Sequence, residues 1–408
     1  MASGALQVRQ RRHLRLVREG ERAPARLRER TRPVERLRNS PAAVLLIGST
    51  ALLTIIGLVM VLSASSVSSY AQYGSSFLFF KRQALYAVVG TAALVATAHI
   101  RYRAWQRLWV PLLAVTAALL LLVLHPGAGT VAGGSARWIA LGPVTVQPSE
   151  LAKLAVVTFA AAVMVKKQKH LDEPLHLAMP LLPVLAAVCG LILLQPDLGT
   201  AVLIAGIAGV VVYVAGVRLR YLATSVLLGG VLAGALVLSH HYQRVRLLAF
   251  LHPWKDPMNT GYQVVQSLMG LGSGGLFGVG LGASRQKWMY IPNAHTDFIF
   301  SILGEELGLI GELVVLVLFG ILLYAGIRIA VRAPDSYGRL VAAGITGWLG
   351  LQTLVNLGTV TGLVPVTGVP LPLVSFGGSS LVVTLAAIGI MVNIGRAPPR
   401  PAARRTRR

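Results

Sequence analysis

Three carboxylates, Asp297, Glu305 and Glu306, fall within the stretch YIPNAHTDFIFSILGEELGLIG, residues 290–311. They stand at the mouth of an otherwise apolar helix. Acids there are costly to keep near lipid, so each asks for a reason. A carboxylate that faces water on one side and a membrane-embedded substrate on the other can serve as a general base. Asp297 has that position, because a long polar connection enters the helix at this point. The same position suits a helix N-cap or first-turn acid, and position alone leaves both roles open. Glu305 and Glu306 lie two turns deeper, and Glu312 shares a face with Glu305. Pairing with a basic residue is the expected role of these three. Histidines such as His252 and His295 are further groups in this region able to take a proton.

Cations gather in the same connection: Arg244, Arg246, Lys255, Arg285 and Lys287. Such a cluster suits an anionic lipid head, above all a pyrophosphate, which arginine grips bidentately. Ordinary solvated loop charge is the competing reading. Glu150 and Lys153, three apart at the head of another apolar run, can neutralise each other within one helix, with Ser149 as its cap. The run GLGSGGLFGVGLG (270–282) contains a dinucleotide-type glycine spacing, but no βαβ pattern surrounds it. Its glycines instead permit irregular, closely packed backbone at membrane depth. In FLFFKRQ, Phe77, Phe79 and Phe80 beside Lys81 and Arg82 read as an interfacial anchor, whose two cations could also meet a lipid phosphate.

The elements that position these residues are membrane spans. Of 408 residues 55% are hydrophobic and 13% charged, against about 25% charged in a soluble protein. Apolar runs recur near 41–64, 83–100, 108–124, 150–165, 175–194, 199–217, 220–239, 297–327 and 340–360, with a tenth ending near Ile394. The fold class is therefore an all-α polytopic membrane protein of about ten helices. The loop 126–149 is glycine-rich, and residues 239–297 form a long connection between spans 7 and 8. No internal repeat supports an inverted-repeat transporter. Cys189 is the single cysteine, so no internal disulfide can form.

The net charge of +24 could suggest nucleic acid, but its distribution argues for topology instead. The two tails and the loops after spans 2, 4, 6 and 8 hold 29 of the 38 basic residues. By the positive-inside rule both termini are cytoplasmic and the 239–297 connection faces outward. Residues 1–40 form a basic tail expected to be disordered near anionic lipid, and 396–408 form a second one. Of 14 acids, seven then remain on the outer side or within spans: Glu150, Asp197, Asp256, Asp297, Glu305, Glu306 and Glu312.

Several motifs resemble those of the SEDS family, the FtsW/RodA/SpoVE group of bacterial cell-wall proteins. They are NLGTVTGLVPVTGVPLPLVSFGGSS (356–380), GSARWIALGPVTVQPSELAKL (134–154), QPDLGTA (195–201), YQVVQSLMGLGSGGLFGVGLG (262–282) and IPNAHTDFIFSILGEELGLIG (291–311). The resemblance spans residues 42–395, and PNAHTDFIF with GEELGLIG looks more like FtsW than RodA. It implies a peptidoglycan glycosyltransferase of the bacterial cytoplasmic membrane, acting at the division septum. Such an enzyme polymerises lipid II outside the membrane, alongside a class B penicillin-binding protein and other divisome membrane proteins. It implies Asp297 as the catalytic residue of HTDFIF. Arg137, Trp138 and Lys153 fall on family positions and are expected at the substrate, with Arg244, Arg246, His295 and Ser375. Glu150, Glu305 and Glu306 are expected as supports. No dedicated metal motif is present, though Mg²⁺ or Mn²⁺ could assist. A lipid II flippase, a RodA-type elongation polymerase and a non-catalytic scaffold are the rival readings.

Overall fold

The computed structural model describes residues 40–397 apart from 128, 133–134, 143, 240–243, 246, 248–249, 289 and 292–293. The N-terminal tail, nearly all of the C-terminal one, and Arg246 lie outside the described residues.

Among the described residues ten helices are long and apolar enough to cross a membrane, matching the ten apolar runs. They are α1 (Pro41–Tyr73), α2 (Leu78–His99), α3 (Tyr102–Leu124), α4 (Pro148–Lys166), α5 (Pro174–Leu193), α6 (Leu198–Ala215) and α7 (Leu219–Ser239). After a short helix α8 (Tyr262–Ser273) come α9 (Ile299–Val331), α10 (Ser336–Val360) and α11 (Gly378–Arg396). Proline opens α1, α4 and α5, where its missing N–H costs nothing. Asp197 and Asp335 cap α6 and α10 through the backbone N–H groups of Thr200 and Gly338.

Helix α4 forms the centre. Its apolar stretch is 89% buried, against α3, α6 and α10. That enclosure forces any charge on α4 to find a partner inside the protein. Helix α7 is the opposite case: none of its apolar stretch is buried, and α6 is its main neighbour. Helix α1 runs 33 residues, about 50 Å, so its serine-rich end outreaches the roughly 30 Å hydrocarbon core.

The structure departs from the sequence reading in three places. First, the glycine-rich loop before α4 contains a small antiparallel sheet of order β1–β2–β3: β1 (Thr130–Ala132), β2 (Ser135–Leu141) and β3 (Val144–Val146). Two of the three strands have only three residues, too few for period-2 alternation to be read from sequence. Second, the 239–297 connection carries α8, which packs on α9.

Third, α9 is broken. At Gly308 the backbone turns to φ 65° and ψ −169°. The break strands the carbonyls of Glu305 and Glu306 and the amides of Leu309 and Ile310. The glycine run after α8 takes all four. Val279 and Gly280 donate to Glu305 O and Glu306 O at 3.0 and 3.1 Å, while Leu309 and Ile310 donate to Gly275 O and Leu276 O at 2.9 and 3.2 Å. Unpaired backbone at membrane depth is tolerated only when protein satisfies it in this way. Two glycines make the approach possible. A Cβ on Gly278 would sit 2.2 Å from Glu306 O, and one on Gly308 would sit 2.4 Å from Gly278 N.

Candidate active site

Asp297 lies in the turn immediately before α9, half-buried. Its Oδ1 accepts a hydrogen bond from Thr296 Oγ1 at 2.9 Å. It is not the residue whose side chain caps α9, since Phe298 holds the cap position. Its backbone is strapped from two directions. Asn356 Nδ2, on α10, donates to Asp297 O at 2.8 Å and to Val369 O at 2.9 Å. Two residues upstream, His295 O accepts from Phe376 N at 2.9 Å. Helix α10 therefore holds the aspartate's segment at one end and the loop 361–377 at the other, with Asn356 tying the two together. The loop's residues 364–367 also line a cleft of about 330 Å³, walled by Leu198, Val202, Val237 and Leu351, with Arg137 and Asp197 as its charged members. The same loop thus both contacts the backbone at His295 and lines the apolar cleft.

Glu305 and Glu306 do not take the expected basic partner: among the described residues neither forms an ion pair. Glu305 accepts from Arg285 N at 2.9 Å, Gln286 N at 3.2 Å and the Ser284 hydroxyl. Glu306 accepts from Ser63 Oγ on α1 at 2.6 Å, and from Ser284 N. Backbone amides can hold a buried carboxylate charged as well as a lysine does. Both acids pin the segment that leads to Asp297.

Most of the expected substrate contacts turn out to be structural. Lys153 is 1% exposed. It pairs with Glu150 at 2.7 Å, donates to Gln352 Oε1 at 2.9 Å and lies over the Trp348 ring. Its ammonium is turned to these protein partners within the buried stretch of α4. Ser375 is buried too: its hydroxyl accepts from Leu371 N at 2.9 Å, closing a turn of the loop. His295 is buried between two rings, with centroids 4.7 Å from Phe79 and 5.4 Å from Phe376. Burial pushes its imidazole down to about 4, so it is neutral and a poor base at neutral pH. Arg137 donates to Gln195 O at 3.1 Å and Pro196 O at 2.5 Å and lies 3.9 Å from Asp197, which spends much of its charge on the α5–α6 turn. Trp138 follows it on β2, half-buried, so the two point to opposite faces of the strand. Arg244 is exposed. The interfacial-anchor reading of FLFFKRQ also needs correcting, since Phe79 faces inward onto His295.

Asn356, Phe376 and Gln83 were missed as site residues. Gln83 is 1% exposed and bonds the backbone on both sides of Phe376, at Ser375 O and Gly377 N. One signal was available: a polar Asn inside an apolar helix end needs a buried partner. The partner's identity was not legible. Among the described residues no group of three or more His, Cys, Asp or Glu side chains could hold a metal ion.

The fold and this site define a polytopic membrane protein built around one strapped aspartate at the head of a broken helix. Residues 43–398 match the family described as cell cycle protein, FtsW/RodA/SpoVE, and the chain belongs to that family. It is 46% identical to stage V sporulation protein E of Bacillus subtilis over 88% of this chain and 98% of the relative. It is 45% identical to a probable peptidoglycan glycosyltransferase FtsW of Geobacter metallireducens, covering 84% and 91%. Among solved structures, a chain of a peptidoglycan synthase complex that coordinates polymerisation and crosslinking matches with TM-score 0.72 and 31% identity, covering 86% and 96%. The rod shape determining protein RodA of Thermus thermophilus matches with TM-score 0.63 and 32% identity, covering 86% and 95%.

Proposed function

We propose that this chain is a peptidoglycan glycosyltransferase that polymerises lipid II at the outer face of the bacterial cytoplasmic membrane, for septal wall synthesis in division. The observation that carries the reading is Asp297, half-exposed at the head of a broken helix with its backbone carbonyl held by Asn356. Relatives named as peptidoglycan glycosyltransferases support the activity. The synthase complex that coordinates polymerisation and crosslinking supports a class B penicillin-binding protein as partner; other divisome membrane proteins belong to the same septal reading. Both tails are then cytoplasmic and the α7–α9 connection outward-facing, in keeping with the basic-residue count.

In this mechanism Asp297 takes the proton from the GlcNAc 4-hydroxyl of the acceptor. That oxygen attacks C1 of the MurNAc at the end of the growing chain. The bond from C1 to the diphosphate oxygen breaks, and undecaprenyl pyrophosphate leaves with its electron pair. Inversion at C1 turns the α-linked donor into a β-1,4 linkage. Proton transfer of this kind supplies about 10²–10⁴-fold, so positioning and charge stabilisation supply the rest. Mg²⁺ or Mn²⁺ would bind largely through the substrate's phosphates, as such ions commonly do.

The test is Asp297→Asn in protein purified with its partner and given lipid II. Polymer should fall by about 10²-fold or more with unchanged thermal stability. Glycan strands at the normal rate would refute the base, and transbilayer movement of lipid II without polymer would favour a flippase.

A further inference from the structure

Helix α10 carries three fully buried side chains with polar atoms, Trp348, Gln352 and Asn356. Spaced by four, they share one face. That face meets the segment VPLPL (369–373) of the loop 361–377. Pro370 and Pro372 have no N–H, which keeps this segment out of a helix or a ladder. Its carbonyls, taken from water, still need donors. Two consecutive ones find them on α10: Gln352 Nε2 donates to Pro370 O at 2.8 Å, and Asn356 Nδ2 to Val369 O at 2.9 Å. Asn356 Nδ2 then reaches Asp297 O. The Gln352 amide can face only one way. Its Oε1 accepts from Trp348 Nε1 at 2.7 Å and from Lys153 Nζ on α4 at 2.9 Å. Either donor alone turns the oxygen away from the loop and the N–H group towards it.

We infer that Gln352 is a positioning residue for Asp297, acting through the loop and Asn356. The inference rests on the glycosyl-transfer reading and adds a residue that reading does not use. Gln352 is 0% exposed, so it acts on the base from a distance. Through Lys153 it is tied to α4, the most enclosed helix, and through Pro370 O to the loop. Without the bond to Pro370 O, the segment keeps only the Val369 clamp on α10. The Asn356 amide spans Val369 O and Asp297 O, so a drift of the loop draws on the aspartate's turn. The loop also donates from Phe376 N to His295 O, and the same drift reaches that turn from its other side. A general base must keep near-attack geometry, and a misplacement of about 1 Å can cost about 10²-fold in rate.

The experiment uses full-length protein purified with its partner and given lipid II. Gln352→Met keeps the volume and removes the amide. Its kcat should fall at least about tenfold while KM stays within about twofold. Amide hydrogen exchange, read by mass spectrometry, should quicken at residues 295–298 at least about threefold. Thr353→Val is the control. It removes a buried hydrogen bond, Thr353 Oγ1 to Leu349 O, from the next residue of the same helix. Its kcat and its exchange at 295–298 should match the wild type. Should Gln352→Met misfold, Gln352→Glu keeps an acceptor for Trp348 and Lys153, loses only the N–H to Pro370 O, and should show the same two changes. Wild-type kcat in a folded Gln352 variant overturns the positioning role. So does a loss no larger than that of Thr353→Val, or one confined to KM. Asp297→Asn is assayed alongside. If it polymerises normally, the base reading fails, while quickened exchange in the Gln352 variant still assigns that residue to the Asp297 turn.

Discussion

Asn356 Nδ2 donates to the backbone carbonyl of Asp297 at 2.8 Å, across 59 residues of sequence. Its second N–H goes to Val369 O, and its buried Oδ1 has no hydrogen-bond partner among the described residues. The amide can only face these two carbonyls with its nitrogen, because the oxygen would repel both. Asn356→Ala should therefore free the Asp297 turn and lower polymerisation while leaving substrate affinity near normal. The check is a kcat-against-KM split in the wild-type and Asp297→Asn backgrounds. Asn356→Ala should be costly in the first and nearly silent in the second, since residues acting as a unit are non-additive.

The break in α9 makes a second demand. Gly308→Ala places a side chain at positive φ and into Gly278 N. Strain of that kind costs about 1–3 kcal/mol before the clash is counted, so the variant should lose both thermal stability and activity. Gly272→Ala is the control, since a Cβ there meets nothing within 4 Å. In α8 it should change stability by less than about 1 kcal/mol. Thermal unfolding of the two variants in detergent reads the difference.

The Glu150–Lys153 pair distinguishes a structural role from a substrate contact. Lys153→Met alone leaves a buried carboxylate unpaired and should cost about 3–5 kcal/mol. Adding Glu150→Gln should recover much of that loss. Activity should return with stability in the double variant. A stable but inactive double variant would restore Lys153 to the substrate site.

His295 gives an acid-sensitive element. Its imidazole titrates near 6.5 when exposed but at about 4 when folded, because burial disfavours the cation. Below 6.5 the unfolded chain binds a proton that the folded one refuses. The stabilisation is thus complete above pH 6.5 and declines as pH falls towards 4, by up to about 3 kcal/mol. A melting series from pH 7.5 to 4.5 should show His295→Phe losing less stability than the wild type.

The sequence by itself determined the solvent and the membership. Ten apolar runs, with few charges inside them, admit no other class, because lipid requires every backbone polar group to be satisfied within a helix or a closed barrel. The family motifs singled out Asp297 among the acids, and the glycine run announced close backbone contact. What the sequence left undecided was which polar residues touch which. Lys153, Ser375, His295 and Arg137 carry chemistry in principle, yet packing spends them on Glu150, Leu371, two aromatic rings and a turn. Conversely Asn356, Gln83 and Phe79 show no link to the aspartate in one dimension and become supports of its segment only when α2, α10 and the 361–377 loop converge. The break at Gly308 belongs with these, since a helix can open there only where another segment's amides and carbonyls are already in place. Such pairings span tens to hundreds of residues, and local periodicity carries no information about them. Burial then decided the outcome: inside this bundle a polar side chain must bond to its nearest partner, and only residues left at the water's edge remain available to a substrate.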